Sequence, residues 1–272
     1  MPEHNLMWQL KKILPTKGFS IALKTLTLIP WPRNKSEDLA ISLPWFPVIG
    51  LLLGLVLYGI SFLYKLFPFD EWAGGIALLM VATEIYLTRG LHLDGLADWA
   101  DSVGGFHQRK KRLAIMKDSA LGAFGVLALI VVLLAKWIAF ERLISSCSVI
   151  WVFAISILSR DMLVELITTL PYAREGEGMA KPFIRNASMK HRLTSHIISF
   201  FFCLIFGPLG LVLFAAGWFQ TWVFGIRCRN QFGGITGDLL GTANEMLGVT
   251  LLIVCALPGK SILSITGWGW VF

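Results

Sequence analysis

Uninterrupted apolar runs of nearly 20 residues recur along this chain, and they constrain it more than any other feature. An α-helix rises 1.5 Å per residue, so about 20 apolar residues cross the roughly 30 Å hydrocarbon core of a bilayer. A soluble all-helical protein would need polar faces on its helices, and these runs lack them. Composition agrees: 15% of the 272 residues are charged and 56% hydrophobic, where a soluble domain carries about 25% charge. The reading is an all-α fold, a polytopic membrane helical bundle with cytoplasmic active-site loops. It forms one integral membrane domain, residues 1–272, with a basic, interfacial segment at 1–43 and the transmembrane bundle at 44–257.

Spans are expected at Pro44–Leu66, Ala73–Leu87, Gly122–Phe140 and Ile144–Leu170. His196–Ile226 is too long for one straight span and reads as two short ones, reversing near Pro208 and Gly210. Met246–Leu257 is a final short run, which brings the expectation to six or seven spans. Gly18–Ile29 is too brief to cross comfortably and suits an interfacial or re-entrant helix. Glu84, Arg160, Asp161 and Glu165 lie within apolar sequence, where such groups face the bundle interior and pair.

A net charge of +7 would suggest nucleic acid in a soluble protein. Here the positive-inside rule accounts for it, and no nucleic-acid partner is expected. Lys11, Lys12 and Lys17 precede the first span, and Arg89 to Lys117 follow the second. This places the N-terminus and the aspartate stretch in the cytoplasm. Pro171–Arg192 is a second basic loop, whose glycines suit either a substrate-covering segment or ordinary turns. Trp268 and Trp270 suit interface anchors. The four cysteines are scattered, with no C-x-x-C, and read as reduced apolar fillers. Lys24, Pro30 and Pro32 interrupt the first apolar run, so no cleavable signal peptide is expected.

The chemistry concentrates in Thr88–Gly105, which places Asp94, Asp98 and Asp101 at i, i+4 and i+7. On a helix their carboxylates fall within an arc of about 60°. Like charges on one stripe repel, and a divalent cation reverses that; carboxylate oxygens are what Mg²⁺ prefers. A second stretch repeats the spacing: Gly234, Asp238, Thr242 and Glu245 echo Gly90, Asp94, Asp98 and Asp101. This suggests a shared role, two acidic faces meeting around metal. Asp94, Asp98 and Asp101 are expected to hold Mg²⁺, with Asp238 and Glu245 completing that site or holding a second ion. Asp98 or Asp101 could instead take a proton from an attacking hydroxyl. Arg109, Arg112 and Lys117 would neutralise a diphosphate, and the start of the third span, Gly122–Gly125, would offer N–H groups to phosphate. His92 would assist the nucleophile or orient a neighbour by hydrogen bonding. Asn244 would contact substrate through its amide. Asp118 is either a ligand or the partner of Lys117. Acidic helix ends, a basic loop and a membrane together point to a reaction on a charged phosphorus compound.

These residues carry a resemblance. Leu91-His-Leu-Asp-Gly-Leu-Ala-Asp98, Arg112-Leu-Ala-Ile-Met-Lys-Asp-Ser119 with Gly122-Ala-Phe-Gly125, and Gly233-Gly-Ile-Thr-Gly-Asp-Leu-Leu-Gly241 resemble the signatures of the cobalamin synthase family, the adenosylcobinamide-GDP ribazoletransferases. Leu26–Pro32 and the Pro44–Pro47 entry are also similar to it, so the likeness covers roughly residues 20–257. Trp99 is bulkier than that pattern suggests, and Ala120 replaces a more polar or turn-forming residue. The resemblance implies a multi-pass enzyme of the bacterial or archaeal cytoplasmic (inner) membrane that needs Mg²⁺. It implies attack by the ribose hydroxyl of α-ribazole, or of its 5′-phosphate, on the cobinamide-bearing phosphorus of adenosylcobinamide-GDP. GMP would leave and adenosylcobalamin, or its 5′-phosphate, would form. Lipids are partners, and a homo-oligomer is left open.

Two other classes fit parts of the pattern. CDP-alcohol phosphotransferases also use spaced aspartates, but Asp94-Gly-Leu-Ala-Asp98 places its second acid one position early for their motif. A transporter would instead work through Glu84, Asp161 and Glu165 near the bilayer midplane.

Overall fold

The computed structural model describes residues 17–31, 38–66, 72–105 and 108–259. The basic residues 1–16, residues 67–71 and the expected anchors Trp268 and Trp270 lie outside them. The described residues form twelve helices joined by short turns and loops: α1 (Lys17–Leu26), a 3₁₀ helix (Ala40–Trp45), α2 (Phe46–Leu66), α3 (Ala73–Thr88), α4 (Leu91–Val103), α5 (Arg109–Ile115), α6 (Ala123–Ser145), α7 (Trp151–Thr169), α8 (Lys181–Arg185), α9 (Met189–Ile205), α10 (Gly207–Phe232) and α11 (Gly237–Ala256). No strand occurs among the described residues, and one isolated parallel bridge joins Tyr172 to Ile235.

Four of these segments are long and apolar enough to cross a membrane: Ala40–Leu63, α6, α10 and α11. The pair α3 and α4, bent by 90°, makes a fifth if it is counted as one span. This is a multi-pass helical membrane protein. The expected six or seven spans also included α7, which carries three charged residues, and α9, which has 17 residues. The His196–Ile226 region does split in two, but the break falls at Phe206, just ahead of the expected Pro208. Gly207 takes a left-handed backbone (φ 76°) there, and Pro208 sits in the first turn of α10, where its missing N–H costs nothing. The second half is not short: α10 runs 26 residues. The final helix also starts earlier than its apolar run, at Gly237, so Asp238 lies inside its first turn.

Helix α7 is the central post, buried at nearly every position from Trp151 to Ile167. It packs against α2, α9, α10 and α11. Small residues set the approach: a Cβ on Gly54 of α2 would lie 3.1 Å from the Phe153 Cα. That is how helices pack closely where lipid removes the usual hydrophobic drive. Helix α1 buries Ala22, Leu23 and Leu26 and packs on the 3₁₀ helix and α2.

The interior charges all find partners. Lys136 of α6 bridges Glu84 of α3 at 3.0 Å and Glu245 of α11 at 2.7 Å, and Arg160 lies 3.6 Å from Glu84. On the other side of α7, Asp161 accepts from Ser195 Oγ at 2.5 Å and pairs with His196 Nδ1 at 2.9 Å. Glu165 lies 2.9 Å from His196 Nε2 and 3.5 Å from Arg192. A lone charge inside a bilayer is costly, and balanced pairs of this kind tie helices together.

Candidate active site

The corner between α3 and α4 builds the site. Arg89 and Gly90 both adopt left-handed backbone (φ 58° and 62°), which turns the chain through a right angle. Gly90 does this freely; Arg89 costs about 1–2 kcal/mol, and its Nη2 donates to Lys24 O at 3.0 Å. Helix α4 has only 13 residues, too few to cross a bilayer by itself. Asp94 stands exposed in its first turn, where the helix dipole favours an acid, with Asp98 and Asp101 half-buried on the same face.

Helix α11 meets α4 at its own N-terminus. Thr236 caps it, its Oγ1 accepting from Leu239 N at 3.3 Å, which leaves Asp238 in the first turn. The two backbones touch. A Cβ on Gly95 would fall 2.5 Å from Asp238 O, and one on Gly241 would fall 3.0 Å from the His92 backbone. Thr242 Oγ1 also donates to Gly95 O at 2.9 Å. The two echoing stretches therefore cross antiparallel, each with an aspartate beside the crossing. Asp98 registers the result: burial, then the negative charges of Asp238 and Asp94, push its carboxyl up to about 7. Arg174 opposes that rise, and Asp101 adds to it.

Of the basic residues, Arg174 reaches the aspartates, while Arg109, Arg112 and Lys117 sit on α5 and the turn after it, beside α4. Arg109 Nη2 donates to Ala173 O at 3.3 Å. Arg112 Nη1 donates to Gln231 Oε1 at 2.8 Å, and the guanidinium lies 5.9 Å from the Phe232 ring centroid. Lys117 is exposed. Arg174 Nη2 donates to Asp238 Oδ2 at 2.6 Å and to Met116 O at 3.1 Å.

Asp101 has a different duty from its neighbours. Its Oδ2 accepts from Gly122 N and its Oδ1 from Gly125 N, both at 2.8 Å, so it caps α6 across space. A Cβ on Gly125 would lie 2.5 Å from that carboxylate, which is why glycine stands there. Two of the N–H groups expected to receive phosphate, those of Gly122 and Gly125, are thus taken by an internal anion. Asp118 closes its own turn, accepting from Ala120 N at 3.1 Å.

Three expected site residues are not brought to the aspartates. Glu245 lies seven residues along α11 from Asp238, about 10 Å at the helical rise, and is held by Lys136. Asn244 Nδ2 donates to Glu245 Oε1 at 3.3 Å. His92 is buried, with Nδ1 4.0 Å from Glu245 Oε1. All three belong to the interior ion network, because a position two turns from the helix end lies deep in the bundle. Trp99 packs against Phe224, centroids 6.5 Å apart.

Sequence reasoning missed two residues. Lys136 carried a usable signal, a lone lysine within a long apolar run. Arg174 carried none, since only the fold lays residues 171–173 against Ile235.

Among the described residues no three His, Cys, Asp or Glu side chains converge as a ready-made metal cage. The donor set nevertheless fits Mg²⁺. That ion takes one or two carboxylates and completes its shell with water and substrate phosphate. Asp94, Asp98 and Asp238 supply hard oxygens alone, and their mutual repulsion, felt at Asp98, is relieved by a cation.

Comparison with known proteins bears on the family of the chain. Residues 18–256 match the family model described as cobalamin-5-phosphate synthase. A Chlorobium chlorochromatii protein named adenosylcobinamide-GDP ribazoletransferase is 39% identical over 246 residues, covering 88% of this chain and 96% of that one. A Syntrophobacter fumaroxidans protein of the same name is 39% identical over 251 residues, 88% of this chain and 97% of its own. One from Prosthecochloris aestuarii is 35% identical over 233 residues, 84% and 93%. No solved structure matches.

Proposed function

The chain belongs to the cobalamin-5-phosphate synthase family, transferases of cobalamin biosynthesis, and from that premise we propose that it is an adenosylcobinamide-GDP ribazoletransferase. It transfers the cobinamide-phosphate group of adenosylcobinamide-GDP to the ribose hydroxyl of α-ribazole or its 5′-phosphate. The new phosphoester bond forms as the bond to GMP breaks. The product is adenosylcobalamin or its 5′-phosphate.

The observation that supports this most is the crossing of α4 and α11, which brings Asp94 close enough to repel Asp238 and sets Arg174 against it; Arg109, Arg112 and Lys117 would complete a basic rim. Asp98, half-buried on the same acidic face, takes the proton from the attacking hydroxyl. Asp94 and Asp238 would hold Mg²⁺, which when bound would supply positive charge to stabilise the departing phosphate. The rim neutralises what charge remains. Asp101 keeps α6 against α4 and so keeps the acidic face in place. The basic rim belongs on the cytoplasmic side of the cytoplasmic membrane, with the N-terminus. A transport reading is disfavoured by the pairing of each acid it would employ: Glu84, Asp161 and Glu165.

Purified protein in lipid, given adenosylcobinamide-GDP, α-ribazole and Mg²⁺, should release GMP only when ribazole is present. Folded protein that releases none would reject this reading and direct attention to CDP-alcohol substrates.

A further inference from the structure

Arg174 occupies the place where the aspartates would meet a cation. Its guanidinium donates to Asp238 at 2.6 Å, and the two side chains are 20% and 23% exposed. Backbone geometry aims it there. Ile235 N donates to Pro171 O at 2.9 Å, and Ala173 N donates to Ile235 O at 3.0 Å. These bonds fasten the strand-like 171–173 segment to the turn that opens α11. Gly234 makes the fit, since any Cβ there would run into Pro171 O. Arg174 thus starts one residue past an anchored backbone and ends on the first-turn carboxylate of the same helix.

The guanidinium is not fully used. Its Nη2 serves both Asp238 and Met116 O, while its buried Nε has no hydrogen-bond partner. A planar fork with an unspent N–H suits a phosphate, which accepts two parallel bonds. Asp238, for its part, is shared between one fixed cation and the repulsion of Asp94. Two positive groups cannot both sit against one carboxylate without repelling each other.

Resting on the ribazoletransferase reading for the identity of the diphosphate, we propose that Arg174 is a placeholder. It neutralises Asp238 before the substrates arrive, competes with the divalent cation for that carboxylate, and passes its guanidinium to the diphosphate when displaced.

Direct metal binding tests this without turnover. Mn²⁺ binding to the full chain in lipid nanodiscs is titrated by electron paramagnetic resonance, without substrates, for wild type, Arg174→Gln, Arg174→Lys and Asp238→Asn. Arg174→Gln should bind Mn²⁺ about tenfold more tightly, the size of one charge-assisted competitor removed. Arg174→Lys should stay near wild type, and Asp238→Asn should lose affinity. Pyrophosphate should then tighten Mn²⁺ binding to wild type and do so less for Arg174→Gln. Unchanged or weaker Mn²⁺ binding in a folded Arg174→Gln, or no Mn²⁺ binding by any variant, would overturn the proposal. Tighter binding by Arg174→Gln alongside wild type that releases no GMP would leave the competition for Asp238 standing and remove only the substrate assignment.

Discussion

Replacing Gly95 with alanine perturbs the junction on which the site depends while leaving every charged residue in place. The added Cβ would lie 2.5 Å from Asp238 O and 2.7 Å from Asp238 Cα, both backbone atoms that no rotamer change can move. Ordinary contact begins at 3.4 Å, so α4 and α11 must part by about 0.9 Å. Overpacking of this kind costs about 1–3 kcal/mol of stability. The catalytic consequence is larger, since a misplacement of about 1 Å lowers turnover by roughly 10²-fold. Gly248 provides the control: it lies in α11 with nothing within 4 Å of its added Cβ. Gly248→Ala should keep wild-type turnover and gain up to about 1 kcal/mol from the stiffer chain. The assay is ribazole-dependent GMP release in lipid, read beside thermal unfolding of the same preparations. A Gly95→Ala protein that folds and turns over as wild type would refute the close crossing of the two acidic helices.

The remaining predictions concern charge. Lys136→Met leaves Glu84 and Glu245 facing each other without their cation, and should destabilise the fold by about 3–5 kcal/mol. Adding Glu245→Gln should recover part of that loss in the unfolding midpoint. In metal-free protein Asp98 has a raised carboxyl, about 7 against a usual value of 3.8. The folded state therefore binds the proton more tightly, so this contribution is full below pH 4 and is lost as pH rises through 7. The midpoint should fall over that window, Asp98→Asn should flatten the fall, and Mg²⁺ should restore stability at the alkaline end.

Apolar run length made the bundle legible; it located α2 and α3 to within two residues, but α6 runs five residues past Phe140 and α7 starts seven after Ile144. It failed where the periodic signal was polar. The first two turns of α11 carry Asp238, Thr242 and Asn244, so the apolar run starts late although the helix does not. The equal spacing around Asp94 and Asp238 did anticipate a meeting of two stretches, because one helix geometry underlies both. Spacing along a helix says nothing about depth, and Glu245 shared the pattern yet lies in the bundle interior with Lys136. Asp101 looked like its two neighbours on the stripe. Only the arrival of α6 distinguishes it, since its partners are backbone N–H groups of Gly122 and Gly125. Arg174 depends on the bridge between Tyr172 and Ile235, a pairing of distant residues that no local pattern encodes.

A double-mutant cycle on Asp94 and Asp238 tests the central claim most directly. Turnover would be measured for Asp94→Ala, Asp238→Ala and the double variant, each in lipid and each checked for folding. Residues that act as one unit are strongly non-additive. The account predicts that the double variant is little worse than either single one. Losses that multiply, as for independent positions, would place the two aspartates in separate roles and contradict a single site built at the crossing of α4 and α11.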